Sequence, residues 1–255
     1  MTAAGRPIRE DADIESSSDR YAGRFAGPVG EWFLDVQAKI TLDCLSGLPS
    51  GAGILDVGGG HAQVAPALIG AGFAVTVVGS DPSCAHRLAP WIDRGECSYH
   101  TADLLALPFS DQQFDAVVCY RLLAHSIDWP RLIGELCRVA RRRVVVDYPS
   151  RRSLNLISDG LFVAKQRLEG GTTRRFLLFA PKAVRLAFEQ RGFDIAAEAP
   201  QFLVPMVLHR FLRSAGLSQA IEAPGRLLGL TRWLGSPVIV RADRAGPSRG
   251  DHAAE

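Results

Sequence analysis

Three consecutive glycines constrain this chain more than any other feature. Gly58, Gly59 and Gly60 close the compact apolar run Gly53-Ile54-Leu55-Asp56-Val57, and a stretch with helical spacing follows them. A short apolar run that stops at glycine reads as a buried parallel strand, which requires a crossover and a sheet covered on both faces. At such a strand end the next helix presents unpaired backbone N–H groups and the positive end of its dipole. Removing three side chains in succession bares that backbone and gives it the φ freedom of a sharp turn. Ligands of open α/β sheets bind in the crevice beyond the carboxyl ends of the strands. The glycines therefore mark a cofactor site, although a tight turn without a ligand uses the same residue types.

The remaining chain alternates in keeping with this start. Helical spacing covers 62–72, then strand-like runs cover 73–80 (FAVTVVGS), 97–102 (CSYHTA) and 114–120 (FDAVVCY). An amphipathic helix at 129–141 carries Pro130 in its first turn, and 143–149 (RVVVDYP) is a buried strand ended by Pro149. The segment 179–193 reads as a helix closing at Gly192, and DIAAEAPQFL and SPVIVRADR read as two more strands. Between those strands lies a helical insertion rich in Leu and Arg. Before the glycine loop, 27–45 forms an amphipathic helix that packs on the sheet or covers its edge. This order predicts an α/β, Rossmann-like, seven-stranded, mostly parallel sheet with helices on both faces, a helical N-terminal extension and a helical insertion before the last strand. The expected organisation is one domain over 21–245, with disordered tails at 1–20 and 246–255.

Composition narrows the function classes. At 47% hydrophobic and 22% charged, 255 residues support one sizeable core. No apolar run approaches the ~20 residues of a transmembrane helix, and residues 1–20 lack the apolar stretch of a secretory signal. Five scattered cysteines without a C-x-x-C pair argue against a disulfide framework or a zinc site and predict a reduced, cytoplasmic protein. Residues 1–140 carry 17 acidic against 10 basic side chains, whereas 141–213 carry 14 basic against 6 acidic. The basic segment is a solvated face or one that meets an anionic substrate or membrane; no aromatic ladder points to nucleic acid.

The loop itself separates cofactors. A dinucleotide fingerprint, as in a nicotinamide-dependent oxidoreductase, requires G-x-G-x-x-G, but Gln63 stands where the third glycine belongs. The pattern present is D-x-G-x-G-x-A: Asp56, Gly58, Gly60 and Ala62. It resembles motif I of the class I S-adenosylmethionine-dependent methyltransferases of the type 11 kind. The stretch from Asp103 to Val139 is similar to the same family: Asp103, Leu107, Pro108, Phe109, Asp111, Phe114 and Asp115 match one block, and Leu123, His125, Leu132, Glu135, Arg138 and Val139 match the next. The likeness covers Gly53 to Tyr148 well and the last strands loosely.

The resemblance implies S-adenosyl-L-methionine as cofactor and a role for each matching residue. Gly58, Gly59 and Gly60 would let its methionine portion lie against the loop, and Asp56 would fix the loop near the amino group. Asp103 would accept from the adenine amino group, with Leu104 flanking the ring, and Tyr120 and Arg121 would border the cofactor and the reacting centre. The family's ribose-binding acid falls on Gly79, a departure that leaves Asp81 as the nearest carboxylate. His125 is the candidate base if the acceptor is a hydroxyl, or it holds only its own turn; no residues show metal-ligand spacing. His209 is a more remote candidate.

The acceptor side is less defined. Phe25, Trp32 and Phe33 are core packing of the first helix or a lid. Between 150 and 179, apolar residues mix with Arg151, Arg152, Lys165, Arg167, Arg174 and Arg175. In the insertion, Leu208, Phe211, Leu212, Leu227, Leu228 and Trp233 interleave with Arg210, Arg213, Arg226 and Arg232. Such helices roof a pocket for an amphiphilic acceptor, pack on the sheet, or make peripheral contact with a membrane. The expected reaction is methyl transfer to a small hydrophobic or amphiphilic acceptor; the alternative is a non-catalytic methyltransferase-like binding or partner subunit.

Overall fold

The computed structural model describes residues 10–153 and 176–246. Two short helices, α1 (Ala12–Ser16) and α2 (Asp19–Ala22), precede the long helix α3 (Gly27–Leu45). Then come β1 (Gly53–Val57), α4 (Ala65–Gly70), β2 (Ala74–Gly79), α5 (Ala89–Ile92) and β3 (Cys97–Thr101). The second half holds β4 (Phe114–Cys119), α6 (Trp129–Val139), β5 (Ala140–Tyr148), α7 (Pro181–Glu189) and β6 (Phe193–Pro200). The insertion folds as α8 (Met206–Leu212), α9 (Ala215–Leu227) and α10 (Leu230–Leu234), and β7 (Val238–Arg244) completes the sheet.

The seven strands lie in the order β3-β2-β1-β4-β5-β7-β6, and β7 runs antiparallel to both neighbours. The chain fills one side of β1 and then returns to fill the other, so a switch point falls between β1 and β4. Asp56 pairs in register with Val77 of β2 and Val118 of β4, which puts the carboxyl end of β1 at that point.

Local chemistry explains where the elements begin. Asp128 caps α6 by accepting from the Arg131 amide at 3.3 Å, and Pro130 sits in its first turn. Leu132, Ile133, Leu136, Cys137 and Val139 then face one core layer, shared with Leu55, Val57, Val117 and Phe188. The opposite layer collects Leu45, Ile54, Val64, Leu68, Val77, Val118 and Tyr120. Phe25, Val29, Trp32, Phe33 and Phe202 form a smaller cluster under the insertion, so all three questioned aromatics are core. All five cysteines are buried free thiols.

Two expectations need correction. Residues 10–20 are not a solvated tail: Ala12, Asp13, Ser16 and Ser17 are buried, and Ser18 caps α2 by accepting from the Tyr21 amide at 3.2 Å. Their burial against the sheet's carboxyl end holds them in place, whereas composition alone read them as polar chain. Nor does a helix leave the glycines directly. Gly59–His61 is a 3-10 turn, Ala62 is left-handed at φ 53°, and α4 begins only at Ala65. His61 causes this detour in part, because its Nδ1 accepts from the Gln63 amide at 3.1 Å.

Candidate functional site

Asp56 ends β1 inside the protein, fully buried, and neither carboxylate oxygen has a hydrogen-bond partner among the described residues. Burial without a partner pushes its pKa up to about 7. Its carboxyl group lies where a side chain on Gly59 would stand. Gly58 turns the chain at φ 74°, and its amide donates to the Val78 carbonyl at 2.8 Å, which ties the loop to β2. A Cβ on Gly60 would meet the Ser17 hydroxyl and the Cys84 carbonyl. The triple glycine is thus a steric requirement at two positions and a conformational one at the third.

At the end of β2, Gly79 also has no room for a side chain, because the Tyr99 hydroxyl occupies that place and donates to the Asp81 carbonyl at 2.6 Å. Asp81 itself caps the next turn, accepting from the Ser83 amide at 2.9 Å. The carboxylate that stands at this strand end comes from elsewhere: Asp13 of α1, fully buried, takes the Ser80 amide at 2.7 Å and the Ser80 hydroxyl at 2.5 Å. Asp13 was missed in the sequence because a five-residue helix carries no readable period.

Asp103 closes its own turn by accepting from the Leu105 amide at 2.9 Å, with Leu104 buried beside it. Tyr120 turns away into the opposite core layer, where its hydroxyl pairs with Thr41 of α3 at 2.6 Å. Arg121, left-handed at φ 62°, acts as a tie. Its amide donates to Asp147 at 2.6 Å, and its guanidinium donates to Gln63 and Gln37, both at 2.8 Å, while stacking 4.2 Å over the Phe25 ring. The β4 end, the glycine loop, α3 and the N-terminal segment therefore meet on one side chain. Such a backbone conformation at a non-glycine residue costs about 1–3 kcal/mol and persists only where surroundings impose it.

His61 is buried under the loop, and burial, Arg121 and Arg87 lower its pKa to about 3, so it stays neutral. His125 lies in the 3-10 turn Leu123–His125 beyond β4, half-buried, its ring edge-on to Phe176 at 5.6 Å. His209 is fully buried in the insertion, against Glu222 and the Trp32 and Phe33 rings of α3. Lys165, Arg167, Arg174 and Arg175 lie outside the described residues.

The crevice is acidic. Glu10, Asp13, Asp56 and Asp147 are all buried, and after burial itself their charges raise the Cys119 thiol further. Buried anions with an unpartnered member suit a ligand that brings cationic groups and hydrogen-bond donors. A separate groove of about 590 Å³ runs along α6, lined by Arg131, Glu135, Arg138, Arg191 and Arg244. Arg138 is there committed to Glu135, Asp111 and the Leu107 and Phe109 carbonyls, which makes that groove's core a structural network.

Residues 55–146 match the family described as "Methyltransferase domain". A methyltransferase of Mycolicibacterium vanbaalenii, itself uncharacterized, is 30% identical over 127 residues, 50% of this chain and 48% of that protein. The chain thus spans about half the length of this curated relative. Magnesium protoporphyrin IX methyltransferase from Synechocystis, crystallised with bound S-adenosylhomocysteine, superposes with a TM-score of 0.61 at 16% identity, covering 89% of this chain and 94% of that one. A geranyl diphosphate methyltransferase in complex with geranyl diphosphate and sinefungin gives a TM-score of 0.61 at 16% identity, covering 93% and 88%. Residues 55–146 are thus a methyltransferase domain, and the strand order, the antiparallel β7 and the glycine loop at the β1 end give the chain the fold of these methyltransferase structures.

Proposed function

We propose that the chain transfers a methyl group from S-adenosylmethionine to a small hydrophobic or amphiphilic acceptor. The observation that carries this reading is Asp56, a buried carboxylate with no partner among the described residues, beneath a glycine loop that tolerates no side chains. These residues fit the cofactor: Asp56 would meet its ammonium group, the bare loop its methionine chain, and Asp103 and Leu104 its adenine. When bound, the cofactor supplies a methyl group activated on a sulfonium. Arg121 holds the loop, α3 and β4 in one geometry, and such orientation can be worth ~7–11 kcal/mol in a displacement. His125 would take the proton of a hydroxyl acceptor, a contribution of ~10²–10⁴-fold.

The acceptor class rests on the insertion. Phe211, Leu227, Leu228 and Trp233 are 79%, 87%, 74% and 68% exposed. Arg210, Arg213, Arg226 and Arg232 are exposed beside them, while the acid of these helices, Glu222, is buried. Exposure on this scale disfavours simple packing on the sheet and supports peripheral contact with an anionic membrane, where arginines meet head groups and apolar side chains enter the interface. Among the described residues no helix is long and apolar enough to cross a membrane. Five free thiols support a reducing compartment, hence the cytoplasmic side. Co-sedimentation with phosphatidylcholine vesicles, with and without phosphatidylglycerol, tests the contact; binding to neither refutes it.

Transfer of labelled methyl from S-adenosylmethionine into an extractable lipid-like acceptor tests the reaction. A second reading, a non-catalytic binding or partner subunit, draws on Gly79, which leaves β2 without a terminal acid. Tight cofactor binding with no transfer to any acceptor would favour it.

A further inference from the structure

The crevice is filled by the chain's own N-terminal segment. Asp13 takes both donors of Ser80 at the β2 end, and its Cβ lies 3.6 Å from where a side chain on Gly58 would begin. The Ser17 hydroxyl stands over Gly60 in the same way. With this segment in place Asp56, Gly58, Gly59, Gly60, His61 and Ser80 are all buried. A ligand reaching Asp56 over the bare loop must use the volume α1 now takes.

We propose that α1 is an internal occupant of the cofactor crevice, a latch fastened by Asp13 on Ser80, which competes with the cofactor and leaves when it binds. The inference rests on the cofactor assignment above. Chemistry supports release as well as closure. With five residues, and only the Glu10 carboxylate on its first amide, α1 is too short to persist outside its tertiary contacts. Closure also gathers Glu10 and Asp13 beside Asp56 and Asp147 and offers Asp56 nothing in return. A cationic ligand with donors reverses that balance: it pairs Asp56 and frees Asp13 and Glu10 to reach water. The apparent affinity is then the intrinsic one scaled by the fraction of molecules already open.

The test compares wild type, Asp13→Ala and Asp13→Asn by hydrogen exchange and by calorimetric titration with S-adenosylhomocysteine. Loss of two hydrogen bonds to a charged group opens the latch, so Asp13→Ala binds about tenfold more tightly. Without ligand, its amides at 58–61 and at Ser80 exchange faster than in wild type. In wild type, ligand makes 12–17 exchange faster. Asp13→Asn, which keeps the side chain's size, falls between the two and guards against a folding defect. Weaker or unchanged binding by Asp13→Ala, with 12–17 more protected on binding, overturns the proposal by making α1 part of the bound site. If crevice amides speed up in Asp13→Ala but neither protein binds, the latch stands and the cofactor assignment falls.

Discussion

Glu222 in the insertion and Asp56 in the crevice are both completely buried carboxylates, held in opposite ways. In the insertion, Glu222 of α9 accepts from the Leu203 amide at 2.9 Å, the Val204 amide at 2.9 Å and His209 Nε2 at 3.0 Å. Those bonds fasten the chain entering α8 to α9, and the aromatic ring of Trp32, Phe33 and Phe202 encloses them. In the crevice, Asp56 has equal burial and, among the described residues, no hydrogen-bond partner. A buried charge that is fully paired holds structure together, and removing one partner strands the rest. A buried charge left unpaired weakens the fold and is retained where a ligand completes it.

The contrast is sharpest in stability. Glu222→Ala leaves two amides and His209 unpaired in an apolar enclosure, so urea unfolding should show a loss of about 3–5 kcal/mol. Asp56→Asn should move the other way. A carboxyl raised from 3.8 to about 7 binds its proton more tightly folded than unfolded, so this group makes stability fall as pH rises from about 4 to about 7. The ligand-free Asp56→Asn protein should then be more stable than wild type at pH 8 by roughly 1–3 kcal/mol, and no more stable at pH 4. Equal loss of stability in both variants would break the comparison.

Smaller effects mark its edges. Gly60→Val forces a side chain onto the Cys84 carbonyl, 2.5 Å from the Cβ position, and should cost roughly 1–3 kcal/mol as overpacking while closing the loop to any ligand. Changing both Leu227 and Leu228 to Ser should alter stability by no more than about 0.5 kcal/mol each, as exposed positions do, yet reduce vesicle association. A marked loss of stability there would mean that these side chains are packed against something, and that the contact surface is misassigned.

Most of the framework was legible from apolar runs and helical spacing. The central strands are short apolar runs ended by glycine or proline or followed by a helix, and α6 carries a helical period over enough residues to be read. What escaped reading was short or oriented by neighbours. Helix α1 has five residues, and the start of α4 is set by left-handed Ala62 and the His61 ring rather than by any propensity. Asp81 is near the ribose position in sequence but is spent capping its own turn. Tyr120 shares a strand face with Ala116 and Val118, which pack under α3, so strand alternation already pointed its ring away from the crevice. Several residues that carried the family resemblance build the fold: Asp115 accepts from the Gly53 amide, and Glu135 and Arg138 bind each other and the 107–111 loop. A family likeness in such residues reports architecture, whereas Asp56, without a partner among the described residues beneath the glycines, reports a ligand.

The most direct test of that claim is calorimetric titration of S-adenosylhomocysteine into wild type, Asp13→Ala, Asp56→Asn and Gly60→Val. Saturable binding in the first two, weakened at least about tenfold in Asp56→Asn and lost in folded Gly60→Val, is the predicted result. Binding that survives Gly60→Val, or fails in both wild type and Asp13→Ala, would contradict it.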